Sequence, residues 1–400
     1  MTDTAGAEVI ETLMQRRDRP DPATFLGKGK AEEVRGVVRA TGADTVIVDE
    51  ELSPGQLRNL EELCGCKVID RTALIIDIFA QHAHSSEGKL QVELAQLNYL
   101  LPRLRGWGES MSRMGKSGVG GLGTRGPGET KLESDRRRIG VRLVKLRKEL
   151  KDVERVRAVK RAERVRARTP AAVLVGYTNA GKSTLLNALT RAGVVVQDQL
   201  FSTLDPTTRR LDLPDGRSVT VTDTVGFVRK LPHTLVEAFK STLEEATEAD
   251  LLLHIVDGTS ADPELQYASV REVLGEIGAA HVLELVVVNK DDGLDEMSRA
   301  RLHRGFPDAV FVSALPGDGI EQLVQRMAVS IPPPEIEADL LIPYDRGDVV
   351  AALHAAGAVR SEEFTPEGTK VRARLREDQA GRLEQYRVRG EERSGRLDAP

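Results

Sequence analysis

The chain has 400 residues, of which 40% are hydrophobic, 30% charged and 4% aromatic. That length exceeds one compact core, so about two to four domains are expected, built mostly from Val, Leu, Ile and Ala. No apolar run approaches the roughly eighteen residues of a membrane-spanning helix, and the start Met1-Thr2-Asp3-Thr4 lacks the basic and apolar regions of a signal peptide. A cytoplasmic protein without stable membrane insertion is therefore expected.

Cys64 and Cys66 have no second cysteine pair to complete a metal site, so they read as two reduced thiols near a strand. The net charge of −5 hides an asymmetry. Residues 101–168 carry 21 Lys and Arg against 8 Asp and Glu, a net of +13, which leaves −18 for the rest. A segregated basic stretch on an acidic protein is the footprint of a polyanion partner, set against the plainer reading of a solvated helix face.

In chain order, residues 1–85 read as a small α/β domain. A helix is expected over Lys30 to Ala40, and a short β-branched strand over Thr45 to Val48. Ser53-Pro54 opens a second helix, with Ser as N-cap and Pro in the first turn. A strand follows over Lys67 to Ile69, and Thr72 opens a third helix.

Residues 86–168 form the next unit. Leu90, Leu94, Leu97, Leu101 and Leu104 recur at spacings of 4, 3, 4 and 3, and Ile139, Leu143, Leu146, Leu150 and Val153 repeat the alternation. Two heptad runs want each other as partners and fold back as an antiparallel helical arm. The loop between them is rich in glycine from Gly115 to Gly128, with Arg113, Lys116, Arg125 and Lys131 in or beside it. Such a tip suits close approach of backbone N–H groups to phosphates, unless it is an unstructured linker.

From residue 169 to 330, short apolar runs alternate with helices, the signature of a parallel α/β sheet. Ile331-Pro332-Pro333-Pro334 is a stiff boundary. Residues 336–390 then read β-α-β-β-α, a small C-terminal α+β domain.

The chemistry lies in the third unit. The strand Ala172 to Val175 runs into Gly176-Tyr177-Thr178-Asn179-Ala180-Gly181-Lys182-Ser183 and then a helix. This is a P-loop in strand–loop–helix context. Gly176 and Gly181 allow the wrap that aims N–H groups at a β-phosphate. Lys182 is placed to reach the β- and γ-phosphate oxygens, and Ser183 to bind Mg²⁺. The strand Val219 to Thr222 ends in Asp223-Thr224-Val225-Gly226. There the Asp accepts from a Mg²⁺-bound water and the Gly226 N–H meets the γ-phosphate. Lys182 and Gly226 are the groups expected to act in hydrolysis. Phe201-Ser202-Thr203-Leu204-Asp205 lies where a first switch belongs. Thr203, Thr207 and Thr208 compete for the second Mg²⁺ hydroxyl, and spacing does not choose among them.

A further strand, Leu285 to Val288, ends in Asn289-Lys290-Asp291-Asp292. Asp292 can accept two hydrogen bonds from guanine N1 and N2, while adenine would leave it buried and unpaired. Asn289 would contact the other edge of the base, and the Lys290 stem would lie along the ring. Val310 to Val312 leads into Ser313-Ala314-Leu315, whose backbone suits guanine O6. After Gly226 stands Phe227, which cannot orient an attacking water. Intrinsic hydrolysis is therefore expected to be slow until a partner places that water. His233 is either a contributor or a structural loop residue.

The P-loop string, Phe201-Ser202-Thr203-Leu204-Asp205-Pro206-Thr207, Asp223-Thr224-Val225-Gly226-Phe227 and Gly126-Pro127-Gly128-Glu129-Thr130-Lys131-Leu132-Glu133 together resemble the HflX family of GTPases. Gly27-Lys28-Gly29-Lys30, Asp70-Arg71-Thr72 and Gly88-Lys89-Leu90-Gln91-Val92-Glu93-Leu94 fit that family's N-terminal domain. The resemblance spans residues 20–330. It implies a Mg²⁺-dependent GTPase acting through GTP and GDP, binding the large ribosomal subunit through ribosomal RNA and splitting or rescuing stalled ribosomes. It also puts the metal hydroxyls on Ser183 and Thr203.

Relative to the family, the chain starts without an additional N-terminal strand and helix, so the first sheet is expected to lack an edge, unless the start of the sequence is misannotated. The expected fold class is α/β: a P-loop GTPase domain with a parallel sheet, preceded by the small α/β domain and the arm, and followed by the α+β domain. The protein is expected to act as a monomer. Two other functions compete: a switch acting on a protein partner, and an RNA-remodelling ATPase in ribosome assembly, which Asp292 disfavours.

Overall fold

The computed structural model describes residues 1–104, 127–166, 169–190, 201, 206–228, 235, 240–331 and 335–388. The glycine-rich tip, His233 and the switch residues Ser202, Thr203, Leu204 and Asp205 lie outside that set. The chain divides into two compact units. One comprises Met1–Ala167 with Ala171–Ser330, the other Arg168–Pro170 with Ile331–Pro400.

The first unit opens with α1 (Lys28–Thr41), β1 (Thr45–Val48), α2 (Pro54–Cys64), β2 (Lys67–Asp70) and α3 (Arg71–His82). β1 and β2 pair in parallel, with Thr45 opposite Lys67. α2 starts in a capping box: the Ser53 hydroxyl accepts from the Gln56 N–H, and the Gln56 side chain accepts from the Ser53 N–H. α3 begins one residue earlier than Thr72. Asp70 is its N-cap, accepting from the Ala73 N–H at 2.8 Å, a stronger capping arrangement than the Thr72 hydroxyl offers.

Asp70 is fully buried and does more than cap. It accepts from the Arg103 guanidinium at 3.0 Å, the Tyr99 hydroxyl at 3.0 Å and the Leu52 N–H at 3.2 Å. Tyr99 and Arg103 belong to the next helix, α4 (Ser86–Arg103). One paired, hydrogen-bonded charge thus fastens the arm to the first sheet.

α4 packs against the long helix α5 (Pro127–Arg166). Leu94, Leu143, Leu146 and Leu150 are buried in a core that also takes Ile75, Ile78 and Phe79 from α3. Above it, Arg142 grips Glu93 with two hydrogen bonds of 2.6 Å.

The central sheet has six strands: β3 (Ala171–Gly176), β4 (Thr207–Asp212), β5 (Ser218–Asp223), β6 (Leu251–Asp257), β7 (Glu284–Asn289) and β8 (Val310–Phe311). Their order is β4-β5-β3-β6-β7-β8, parallel except for the β4–β5 pair. β3, β6 and β7 are almost wholly buried apolar runs, as strands covered on both faces must be. The order reverses at β3. That reversal opens a crevice at its C-terminal end, where α6 (Lys182–Thr190) begins. α7 (Lys240–Thr247), α8 (Pro263–Glu276), α9 (Glu296–Gly305) and α10 (Ile320–Ser330) complete the unit.

The second unit runs β9 (Glu335–Ile342), α11 (Gly347–Ala355), β10 (Val359–Thr365), β11 (Gly368–Arg376) and α12 (Glu377–Arg382). Its antiparallel sheet has the order β10-β11-β9, over a core of Leu340, Ile342, Leu353, Val371 and Leu375.

Leu146 is fully buried at the centre of the arm core. Leu146→Ala is expected to cost about 3 kcal/mol in chemical denaturation. A loss below about 1 kcal/mol would show that α5 does not hold the arm against α3 and α4.

Candidate functional site

The P-loop leaves β3 at the crevice and closes on itself through backbone bonds to the segment after β5. The Thr178 N–H donates to the Phe227 carbonyl at 2.8 Å, and the Phe227 N–H donates to the Gly176 carbonyl at 3.1 Å. Tyr177 and Phe227 form a parallel bridge. The P-loop and the segment after β5 are therefore one ribbon. Within it Gly226 lies flat on the loop: a Cβ there would stand 2.8 Å from Thr178 Cγ2 and 3.0 Å from Lys182 Nζ.

Lys182 is 6% exposed, and its ammonium donates to the carbonyls of Tyr177 at 3.1 Å and Gly176 at 3.3 Å. Burial pulls its pKa down to about 8, partly offset by the Asp223 carboxylate. Ser183 is also buried, and its hydroxyl donates to Asp223 Oδ2 at 2.6 Å. Asp223 ends β5 and is fully buried. The Thr224 hydroxyl is committed to the sheet, donating to the Leu174 carbonyl at 2.7 Å.

The loops at the ends of β3, β7 and β8 assemble around one amide. Asn289 ends β7 at 2% exposure; its Nδ2 donates to the Ala180 carbonyl at 2.9 Å, and its Oδ1 accepts from the Ala314 N–H at 3.1 Å. It thus ties the P-loop to the loop after β8, and Nδ2 keeps a second hydrogen for a ligand. Gly181, at φ +92°, is crowded by the same side chain: a Cβ there would collide with Asn289 Nδ2. Asn179 and Lys290 hold left-handed backbones, at φ +61° and +65°. Such strain in residues other than glycine costs about 1 kcal/mol each and gathers at functional loops.

Lys290 reaches across to β6, donating to Asp257 Oδ2 at 2.7 Å. Asp291 is tied down: its N–H donates to the Val312 carbonyl, and its carboxylate pairs with Arg299 at 2.8 Å. Asp292 differs. Its N–H donates to the Ser313 hydroxyl at 2.9 Å, while its exposed carboxylate meets no hydrogen-bonding partner among the described residues. Ser313 and Ala314 are buried, and Leu315 is 87% exposed at the rim. Sequence reasoning missed Asp257. The signal was available, since Asp257 ends an apolar strand next to the one that carries Asn289.

The switch segments reach the other way. Phe201, at φ +61° and 2% exposure, meets Phe79 of α3 edge-on, with ring centroids 4.8 Å apart. Val225, Val228 and Leu235 are buried in the same core as Leu143, Leu146 and Leu150 of the arm. Phe227 points into the core of the six-stranded sheet with Val173, Val175 and Leu243. Its ring is 2% exposed, so it offers a water nothing.

Three family descriptions match in succession: "GTP-binding GTPase N-terminal" over residues 1–80, "GTP-binding GTPase Middle Region" over 82–164 and "50S ribosome-binding GTPase" over 171–290. The GTPase HflX of Caldanaerobacter subterraneus subsp. tengcongensis is 47% identical over 372 residues, covering 93% of this chain and 85% of that protein. The chain belongs to the HflX family of GTPases. The GTPase HflX of Escherichia coli K12 is 45% identical, covering 92% of this chain and 86% of that one. Among solved structures, a GTP-binding protein from Sulfolobus solfataricus in complex with GDP is 26% identical, with a TM-score of 0.42 over 82% of this chain and 93% of that one. As an HflX-family member the protein is a GTP-hydrolysing P-loop enzyme, and the crevice at the end of β3 is where its motifs converge.

Lys182 gives the site a proton signature. Its pKa is lowered from the ordinary 10.5 to about 8, so the nucleotide-free lysine is charged below pH 8 and increasingly neutral above it. A bound phosphate raises that pKa again. Binding is therefore expected to take up a proton above pH 8 and little at pH 7, and affinity falls as pH rises beyond 8. Calorimetry of GDP binding in buffers of different ionisation enthalpy measures this. Equal heats at pH 8.5 would contradict it.

Proposed function

We propose that this HflX-family GTPase is a cytoplasmic, monomeric switch that binds the large ribosomal subunit through ribosomal RNA and splits or rescues stalled ribosomes. The observation that carries the reading is the arm. Along α5, Arg137, Arg138, Lys145, Lys148, Lys151 and Arg155 are exposed on a helix whose other face is locked into the core. A basic rod standing on an acidic protein suits a phosphate backbone. The family description of a 50S ribosome-binding GTPase over residues 171–290 agrees with it. No helix among the described residues is long and apolar enough to cross a membrane.

In the nucleotide site, the P-loop N–H groups of Asn179 and of Gly181 to Ser183 would cradle the β-phosphate, and Lys182 would turn from its backbone carbonyls to the β- and γ-oxygens. Buried hard oxygens on Ser183 and Asp223, 2.6 Å apart, fit Mg²⁺, which prefers few protein ligands together with phosphates and waters. Ser183 and Thr203 would ligate it directly, with Asp223 accepting from a bound water. When bound, Mg²⁺ neutralises charge developing on the transferred phosphoryl group. Gly226, already against Lys182, would offer its N–H to the γ-phosphate. Asp292 would accept from guanine N1 and N2, with Asn289 and the Ser313 to Leu315 backbone on the other edge. Phe227 is locked in the core, so placement of the attacking water falls to the ribosome.

Purified large subunits are therefore expected to raise the hydrolysis rate by about two orders of magnitude or more, steeply weakened by salt, while naked RNA raises it much less. A rate flat across the titration would overturn the ribosome reading. A stimulation that ignores salt would favour a protein partner. At the base, Asp292→Asn is expected to weaken GTP by about two orders of magnitude and to favour xanthosine triphosphate. Unchanged competition between the two nucleotides would remove Asp292 from the base.

A further inference from the structure

Resting on the reading that the Asn289 to Asp292 loop holds guanine, we propose that Asp257 is a positioning residue of the base pocket: it clamps the tip of Lys290 so that the lysine stem is a fixed rail for the ring. Asp257 is the last residue of β6 and stands in register with Asn289, the last of β7. Its two oxygens do different work. Oδ2 accepts from Lys290 Nζ at 2.7 Å, while Oδ1 accepts from the N–H and hydroxyl of Thr259, at 2.9 and 2.6 Å.

The carboxylate cannot swing away. The Thr259 bonds fix its plane, and the turn beneath it is packed against the base loop. The Gly258 N–H donates to the Asn289 carbonyl at 2.9 Å, and a Cβ on Gly258 would stand 3.1 Å from that oxygen, from Leu294 Cδ1 and from Val288 Cγ1. On the far side, a Cβ on Gly293 would come within 2.8 Å of Thr259 Cγ2. At the other end of the rail, the Lys290 backbone is fixed in the left-handed region. A lysine held at both ends loses its rotamer freedom before a base arrives. The ion pair is half-sheltered, with side chains 34% and 16% exposed, so its effect is moderate and salt-sensitive.

The alternative is that Asp257 only caps its own turn through Thr259. Asp257→Asn separates the two roles, because the amide oxygen can still accept from Thr259 while the charge facing Lys290 is lost. GDP affinity would be read by fluorescence titration of the full-length protein, alongside the melting temperature without nucleotide. Asp257→Asn is expected to weaken GDP roughly fivefold with little change in melting. Lys290→Ala should weaken it at least as much, the double variant no further than Lys290→Ala, and Asp257→Glu should recover most of the loss.

Wild-type affinity in Asp257→Asn overturns the inference, as do losses that add in the double variant or that track a fall in melting temperature. If Lys290→Ala weakens GDP while Asp257→Asn does not, only this inference falls. If neither variant matters, the base-pocket reading falls with it.

Discussion

One side-chain amide holds the site together. Asn289 bonds the P-loop carbonyl of Ala180 on one side and the N–H of Ala314 on the other. Three loops from three strands are set by those two contacts, and Gly181 is confined to glycine by the same side chain. The arrangement works because β3 and β7 both end on the C-terminal side of a sheet whose order reverses at β3. Asn289 is buried and both its polar groups are paired, so losing either partner leaves a desolvated group at a cost of about 1–3 kcal/mol.

The second constraint is that Phe201 and Val225, beside the crevice, are also core residues. Phe201 and Val225 flank the nucleotide crevice in sequence, yet their side chains are buried with the leucines of α4 and α5. A close-packed interior does not deform smoothly. Moving Phe201 or Val225 would therefore disturb packing that they share with the leucines of the arm. Phe227 adds to this. A ring sunk among Val173, Val175 and Leu243 ties the post-β5 ribbon to the sheet, at the expense of the water-orienting group that this position would otherwise offer.

Much of this was legible in the sequence, for physical reasons. The apolar runs at Ala172 to Val175 and Leu285 to Val288 had to be doubly covered strands, and chemistry at the ends of such strands faces one crevice. The heptads at Leu90 to Leu101 and Ile139 to Leu150 had to find each other, and they share a core. Long-range partners of polar groups stayed hidden. Nothing local says that Asp70 will hold Tyr99 and Arg103 as well as cap α3, or that Asp257 will hold Lys290. Hydrophobic period does not assign a residue to one of two competing cores, so the burial of Phe201 against Phe79 was also beyond reach.

The account turns on guanine being read by Asp292 from the loop that Asn289 anchors. A crystal structure with GDP bound tests that most directly. The carboxylate of Asp292 should lie within hydrogen-bonding distance of both N1 and N2 of the base, with the Lys290 stem against the ring. A base seated elsewhere, with Asp292 still facing solvent, would contradict it.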